Sequence, residues 1–97
     1  ASWPKGDWRN LYFTPATLAE TLPRVEALKA LVPPGSSLPD LALRFILHHK
    51  AVSTTIPGMR SLSHVDANIA ASDAPPLGAD VVAALRRHRW ERDWKVP

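Results

Sequence analysis

Side chains that could bind a charged ligand collect in residues 52–68, which read V-S-T-T-I-P-G-M-R-S-L-S-H-V-D-A-N. The β-branched residues predict a short strand, Pro57-Gly58 predicts a turn, and the serines that follow predict the start of a helix. A helix that begins just after a strand presents unpaired N–H groups and the positive end of its dipole. The segment is therefore a candidate site for an anion such as phosphate.

Ser61, His64 and Asn68 follow one another at spacings of three and four residues, so they share one edge of the predicted helix. Arg60 lies in the turn just before it, and a guanidinium group suits the geometry of a phosphate. In a second interpretation, Arg60 is only solvated, His64 is a polar residue at a helix start, and Asn68 bonds to nearby backbone. The residue types are consistent with both interpretations.

The composition is that of a small globular domain or of a piece of a larger one, with 97 residues, 45% hydrophobic and 22% charged. The absence of cysteine excludes disulfides, thiolate metal sites and thiol nucleophiles, and it fits the reducing cytoplasm. No apolar run is long enough to cross a bilayer, so we expect no membrane partner.

The formal net charge of +3 comes largely from basic residues near the end of the chain, Arg86-Arg87-His88-Arg89 and Arg92. Such a run is typical of a solvated helix face, and we expect no nucleic-acid partner. His48 and His49 are adjacent and cannot face the same way on a helix, so we expect no metal site.

Apolar spacing and helix-start signals predict a mostly α-helical chain with one short β-strand. Thr14-Pro15 and Ser37-Leu38-Pro39-Asp40 are good helix starts, and Asp80 is the expected cap of the last helix. The predicted elements are an aromatic-rich loop at 1–13, a helix at 14–31 kinked at Pro23, a helix at 37–49, the strand at 52–56, a helix at 61–72 and a terminal helix at 80–90.

Two of these elements predict that the chain is incomplete on its own. The helix segment 41–47 is apolar on nearly every side except at Arg44, which indicates burial between two layers. The strand at 52–56 has no partner in this sequence, and a lone strand cannot satisfy its backbone groups. We therefore expect the isolated chain to self-associate, with 52–56 pairing between copies.

The order and content of these segments resemble the carboxyl-terminal part of the aldo-keto reductases. The segments that carry the resemblance are G-D-W-R-N at 6–10, S-L-P-D-L-A-L-R-F-I-L at 37–47, the whole of 52–68, and the closing R-R-H-R-W. The resemblance implies a (β/α)8 barrel, of which this chain supplies the carboxyl-terminal βα portion, and it implies NADPH or NADH as cofactor and a small carbonyl compound as substrate of the full-length parent.

In this family the eighth strand and helix hold the adenosine-phosphate end of the cofactor, which implies five binding residues, Gly58, Met59, Arg60, His64 and Asn68. Gly58 and Met59 stand where many members have lysine and serine, and His64 stands where they have arginine or glutamine. Ala67 replaces a frequent glutamate, whereas Asn68 matches the family's asparagine. Because Gly58 lacks the charge of a lysine, we assign the positive charge in the turn to Arg60.

The family reduces carbonyls with an Asp, Tyr, Lys and His tetrad that comes from earlier strands of the barrel. Tyr12 is the only tyrosine here, and it lies in the loop that would follow the seventh strand. We therefore expect no catalytic residue in this chain and no reductase activity from it alone. The alternative is a small helical protein-interaction module without enzymatic activity.

Overall fold

The computed structural model describes residues 2–94, and within them five α-helices make up the regular structure. The mostly helical fold class predicted from the sequence is confirmed. The helices are α1 (Arg9–Tyr12), α2 (Pro15–Lys29), α3 (Leu38–His48), α4 (Leu62–Asp73) and α5 (Ala79–Arg86). None of them is both long enough and apolar enough to cross a membrane.

Local capping sets the beginnings of α2 and α3. The Thr14 hydroxyl accepts a hydrogen bond from the N–H of Thr17 at 3.4 Å, and Pro15 occupies the first turn. The Ser37 hydroxyl accepts a hydrogen bond from the N–H of Asp40 at 3.2 Å. The Asp40 carboxylate does not bond back to the N–H of Ser37, as it would in a capping box, because it binds the Ser36 hydroxyl and Arg44 instead.

Helix α2 runs through Pro23 as a single helix. Two local details differ from the sequence expectations. Gly78, not Asp80, is the N-cap of α5, and Asp80 lies in the first turn, where its negative charge still complements the helix dipole. The aromatic-rich loop contains the single helical turn α1, because the Asp7 carboxylate accepts from the backbone N–H of Arg9 at 2.9 Å.

The strand predicted at 52–56 is not formed, and residues 2–94 contain no β-strand. The Val52 N–H bonds back to the carbonyl of His49 at 2.9 Å, but residues 53–60 make no backbone–backbone hydrogen bond within the described part of the chain. The physical reason is the one that the sequence indicates: a strand needs a neighbouring strand, and no segment of residues 2–94 provides one.

The core is small. Leu41 of α3, Leu77 of the loop before α5 and Val82 of α5 form a buried cluster. Half-buried side chains from α3, α5 and the segment that follows α2 pack around it. Helix α3 also packs against α4, whose Ala71 is buried. The Cα radius of gyration is 15.3 Å, compared with roughly 12.5 Å expected for a compact domain of this length. The packing is therefore open.

Helix α3 is less buried than its apolar sequence predicts. Leu41 is its only buried residue, whereas Ala42 is exposed and the Ile46 side chain is 41% exposed. One side of α3 packs on α4, α5 and the loop between them, and the other side is open. Residues 2–94 therefore cover only one side of α3.

Candidate functional site

The predicted anion site lies where the extended segment 53–60 meets α4. Ser61 is the N-cap of α4, with extended backbone, and its hydroxyl accepts from the N–H of His64 at 3.3 Å. The Ser61 and Ser63 hydroxyls are 3.0 Å apart. No acidic residue lies in the first turn of α4, so no carboxylate of that turn opposes an anion at the helix start.

Asn68 joins α4 to the turn that precedes it. Its side-chain amide donates a hydrogen bond of 3.2 Å to the backbone carbonyl of Gly58, ten residues earlier. The structure thus brings together two of the five predicted cofactor residues. Asn68 bonds to backbone, as the second interpretation of the sequence expects, and that same bond fixes the position of the turn beside the helix start.

Gly58 itself is not required by sterics. Its φ angle is not in the left-handed region, and a Cβ atom added to it would meet nothing within 4 Å. A larger side chain at this position would project into open space. The glycine therefore leaves the turn without a side chain that could reach a ligand.

Met59 and Asn68 line a cavity of about 170 Å³ between α3, the extended segment and α4. The Met59 side chain is 49% exposed. Arg60 and His64 are also exposed, but neither lines this cavity. The five predicted residues therefore surround one end of α4 without forming a single closed pocket.

Arg60 carries the positive charge of this region. Within residues 2–94 it makes no ion pair with Asp or Glu, so its guanidinium group is available to an anion. It directly precedes the N-cap Ser61, which places its backbone beside the positive end of the α4 dipole. Side chain and helix end together give this surface a positive potential.

Tyr12 belongs to an aromatic cluster at the other end of the chain. Its ring centroid is 4.8 Å from that of Phe13 and 5.1 Å from that of Trp94, both in edge-on geometry. The Trp94 indole N–H also donates to the Glu20 carboxylate at 2.8 Å. Trp94 therefore lies against the aromatic-rich loop, and the role of Tyr12 in this arrangement is packing.

The polar network around Arg44 is a feature that the sequence reasoning missed. Arg44 lies 3.3 Å from the Asp40 carboxylate and donates to the carbonyl of Pro75 at 2.8 Å, and its side chain is only 16% exposed. It ties α3 to the loop between α4 and α5. The i, i+4 spacing of Asp40 and Arg44 is the sequence signal for the first contact.

The two histidines at the end of α3 behave as helix-end residues. The ring Nδ1 of His49 accepts from the backbone N–H of Ala51 at 3.2 Å. No group of three or more potential metal-ligating side chains occurs among the residues that the structure describes.

The comparisons with known proteins identify the family. Neither the curated proteins nor the solved structures include a match to this chain. The model of the aldo/keto reductase family, in contrast, matches residues 6–89, which include all five helices. The match agrees with the resemblance seen in the sequence, and it spans most of the length of the chain. The chain belongs to the aldo/keto reductase family.

Proposed function

We propose that this chain is the carboxyl-terminal segment of an NAD(P)H-dependent aldo/keto reductase and contributes the adenosine-phosphate end of the cofactor site. The parent enzyme reduces aldehydes and ketones to alcohols. The observation that carries the proposal is the family match over residues 6–89. The Asn68–Gly58 hydrogen bond is consistent with it, because the bond holds the turn beside the start of α4. Aldo/keto reductases generally use nicotinamide cofactors.

The residues at this site fit a phosphate group in charge and in hydrogen-bonding capacity. The N–H groups of Leu62 and Ser63 in the first turn of α4 bond to no acceptor within residues 2–94. They can donate to a phosphate while the exposed Arg60 supplies charge. His64 and Asn68 lie on the same edge of the helix, and Met59 offers apolar contact to the adenosine. We propose NADPH as the cofactor, with NADH as the alternative.

The bound cofactor would supply a hydride, and this chain would hold the distant end of it. The proton donor and its partners come, in our proposal, from strands that this chain lacks, and no residue here is catalytic. The purified 97-residue chain should therefore not oxidise NADPH in the presence of an aldehyde. Measurable turnover that survives repurification would overturn this part of the proposal.

The open packing supports the idea that the chain completes a (β/α)8 barrel. Residues 53–60 make no backbone–backbone hydrogen bond within residues 2–94, and Ile56 among them is 94% exposed. In the barrel, 52–56 would be the eighth strand, paired on both sides. Pairing would satisfy the backbone groups and cover Ile56.

The isolated chain should self-associate through the same segment. Ile56, Leu62 and Ile69 are more than half exposed and lie along the extended segment and α4. The substitution Ile56→Lys places a charge at this edge, so it should shift the chain toward the monomer. The molar mass measured by light scattering should fall. Leu11→Lys, at a 55% exposed position in α1, is the matched control and should leave association unchanged. A wild-type chain that stays monomeric at high concentration would contradict self-association.

The alternative function is a small helical interaction module that has kept this segment and lost the enzyme. The exposed apolar side chains favour it to the same degree, because they suit any protein partner. Coding sequence directly upstream decides between the two. Seven further βα units with the tetrad would support the reductase, and their absence would support the module. The absence of cysteine fits a cytoplasmic location for either.

A further inference from the structure

A second cavity lies away from the α4 site, between α2, α3 and the end of α5. Its volume is about 660 Å³, which is within the range of roughly 300–1,000 Å³ typical of small-molecule sites. Leu28 of α2, Phe45 of α3 and Leu85 of α5 contribute to three different walls. It shares no lining residue with the cavity beside Asn68.

The walls of this cavity are apolar, and its polar residues are all basic. Arg86, His88 and Arg89 line the side formed by the end of α5 and the segment after it, and no acidic residue lines the cavity. Arg86 makes no ion pair within residues 2–94. Arg89 pairs with Glu91, but both side chains are at least 80% exposed, and an exposed pair of this kind is weak enough to exchange partners.

We propose that this cavity binds an amphipathic carboxylate, with its hydrocarbon chain against α3 and its carboxylate on Arg86 and Arg89. A guanidinium group pairs with a planar carboxylate through two parallel hydrogen bonds. Burying the hydrocarbon chain against Leu41, Phe45 and Ile46 removes apolar surface from water. The inference does not depend on the cofactor proposal.

Charge complementarity favours this occupant over a second copy of the chain. Symmetric packing of two such cavities would bring two basic rims together, with no acidic residue in either lining to compensate. A neutral apolar ligand would fill the cavity but leave the basic rim unused. The combination of a concave apolar wall and a one-sided cationic rim specifies both ends of the ligand.

Three probes with the same chain length test the proposal: decanoate, decanol and decyltrimethylammonium, each titrated calorimetrically into the full chain below its micelle concentration. We expect saturable binding of decanoate at one site, weaker binding of decanol and the weakest binding of the cation. Equal affinity for decanoate and decanol would overturn the assignment of the carboxylate to the basic rim. The same titration is repeated with Ile56→Lys, which is expected to be monomeric. Heats that still vary with protein concentration in this variant would show that a second copy occupies the cavity and would also overturn the proposal.

Adjacent arginines provide a matched pair of variants. Arg86→Gln should weaken decanoate binding about tenfold and leave decanol unchanged, because it removes one charged hydrogen-bond donor. Arg87→Gln removes the same charge from a residue that does not line the cavity, so the affinities for decanoate and for decanol should both stay unchanged. Ala42→Trp, at an exposed position of α3 that lines the cavity, should block both probes while circular dichroism stays unchanged. Equal effects of Arg86→Gln and Arg87→Gln, or unaltered binding in Ala42→Trp, would contradict the site.

Discussion

The side-chain amide of Asn68 donates a 3.2 Å hydrogen bond to the backbone carbonyl of Gly58. A residue inside α4 therefore fixes the position of the chain segment that leads into the helix. Gly58, Arg60 and the N-cap Ser61 are thereby kept beside the open N–H groups of the helix.

Replacing Asn68 should loosen this turn. Asn68→Ala removes the bond to Gly58, so amide hydrogen exchange at 58–60 should speed up, while the free energy of unfolding should fall by only about 1 kcal/mol because the bond is exposed. Asp66→Ala, at an exposed position of the same helix, is the control and should leave exchange at 58–60 unchanged. Unaltered exchange in Asn68→Ala would show that the bond does not hold the turn.

The Arg44 network should matter more for stability than any surface ion pair of the chain. Arg44→Gln should lower the free energy of unfolding by about 2–3 kcal/mol, because it leaves the Asp40 carboxylate with only the Ser36 hydroxyl and removes the charged donor to the Pro75 carbonyl. Arg89→Gln breaks the exposed pair with Glu91 and should cost less than about 1 kcal/mol. Urea unfolding of both variants measures the difference, and equal losses would contradict the assigned importance of the network.

The core rests on Leu41, whose side chain is 2% exposed. Leu41→Ala should reduce the free energy of unfolding by about 2–4 kcal/mol, because it removes buried surface and leaves a cavity. Leu22→Ala, at a 51% exposed position in α2, should cost much less. Thermal melts of the two variants provide the test, and a similar loss for both would mean that the Leu41 cluster is not the centre of the fold.

The single turn α1 should be sensitive to acid. Hydrogen bonds from the side chain and backbone of Arg9 lower the pKa of Asp7 from 3.8 to about 2. Because the folded pKa is depressed, the stabilisation is complete above the unfolded value and is lost as the pH falls from about 4 through about 2. NMR titration of the Asp7 carboxyl should show this midpoint, and Arg9→Gln should return the pKa toward 3.8. An unchanged midpoint in Arg9→Gln would contradict the assigned cause.

Features decided by a few neighbouring residues could be predicted from the sequence. Thr14, Ser37 and Ser61 each cap a helix through a bond to the N–H three residues later, and such local geometry is encoded in the residue types. Asn68 could be placed at the site because it shares an edge of α4 with Ser61. The position of the site therefore followed from helix spacing and from the family resemblance together.

Features that depend on distant partners could not be predicted. Residues 52–56 have the β-branched composition of a strand, but strand formation requires a neighbour that residues 2–94 lack. The bond from Arg44 to the Pro75 carbonyl spans 31 positions of the chain and leaves no periodic signal. The cavity beside α5 likewise depends on how three helices pack, which no local pattern specifies.

The most direct test of the central claim is an NMR titration of the uniformly labelled chain with NADPH. We expect saturable shifts confined to the amides of residues 58–64 and the side chain of Asn68, with weaker binding of NADH. Arg60→Gln should weaken NADPH binding, and Arg87→Gln, which removes the same charge from the end of α5, should not. No shift at millimolar NADPH, or equal binding by wild type and Arg60→Gln, would contradict a cofactor-phosphate site at the start of α4.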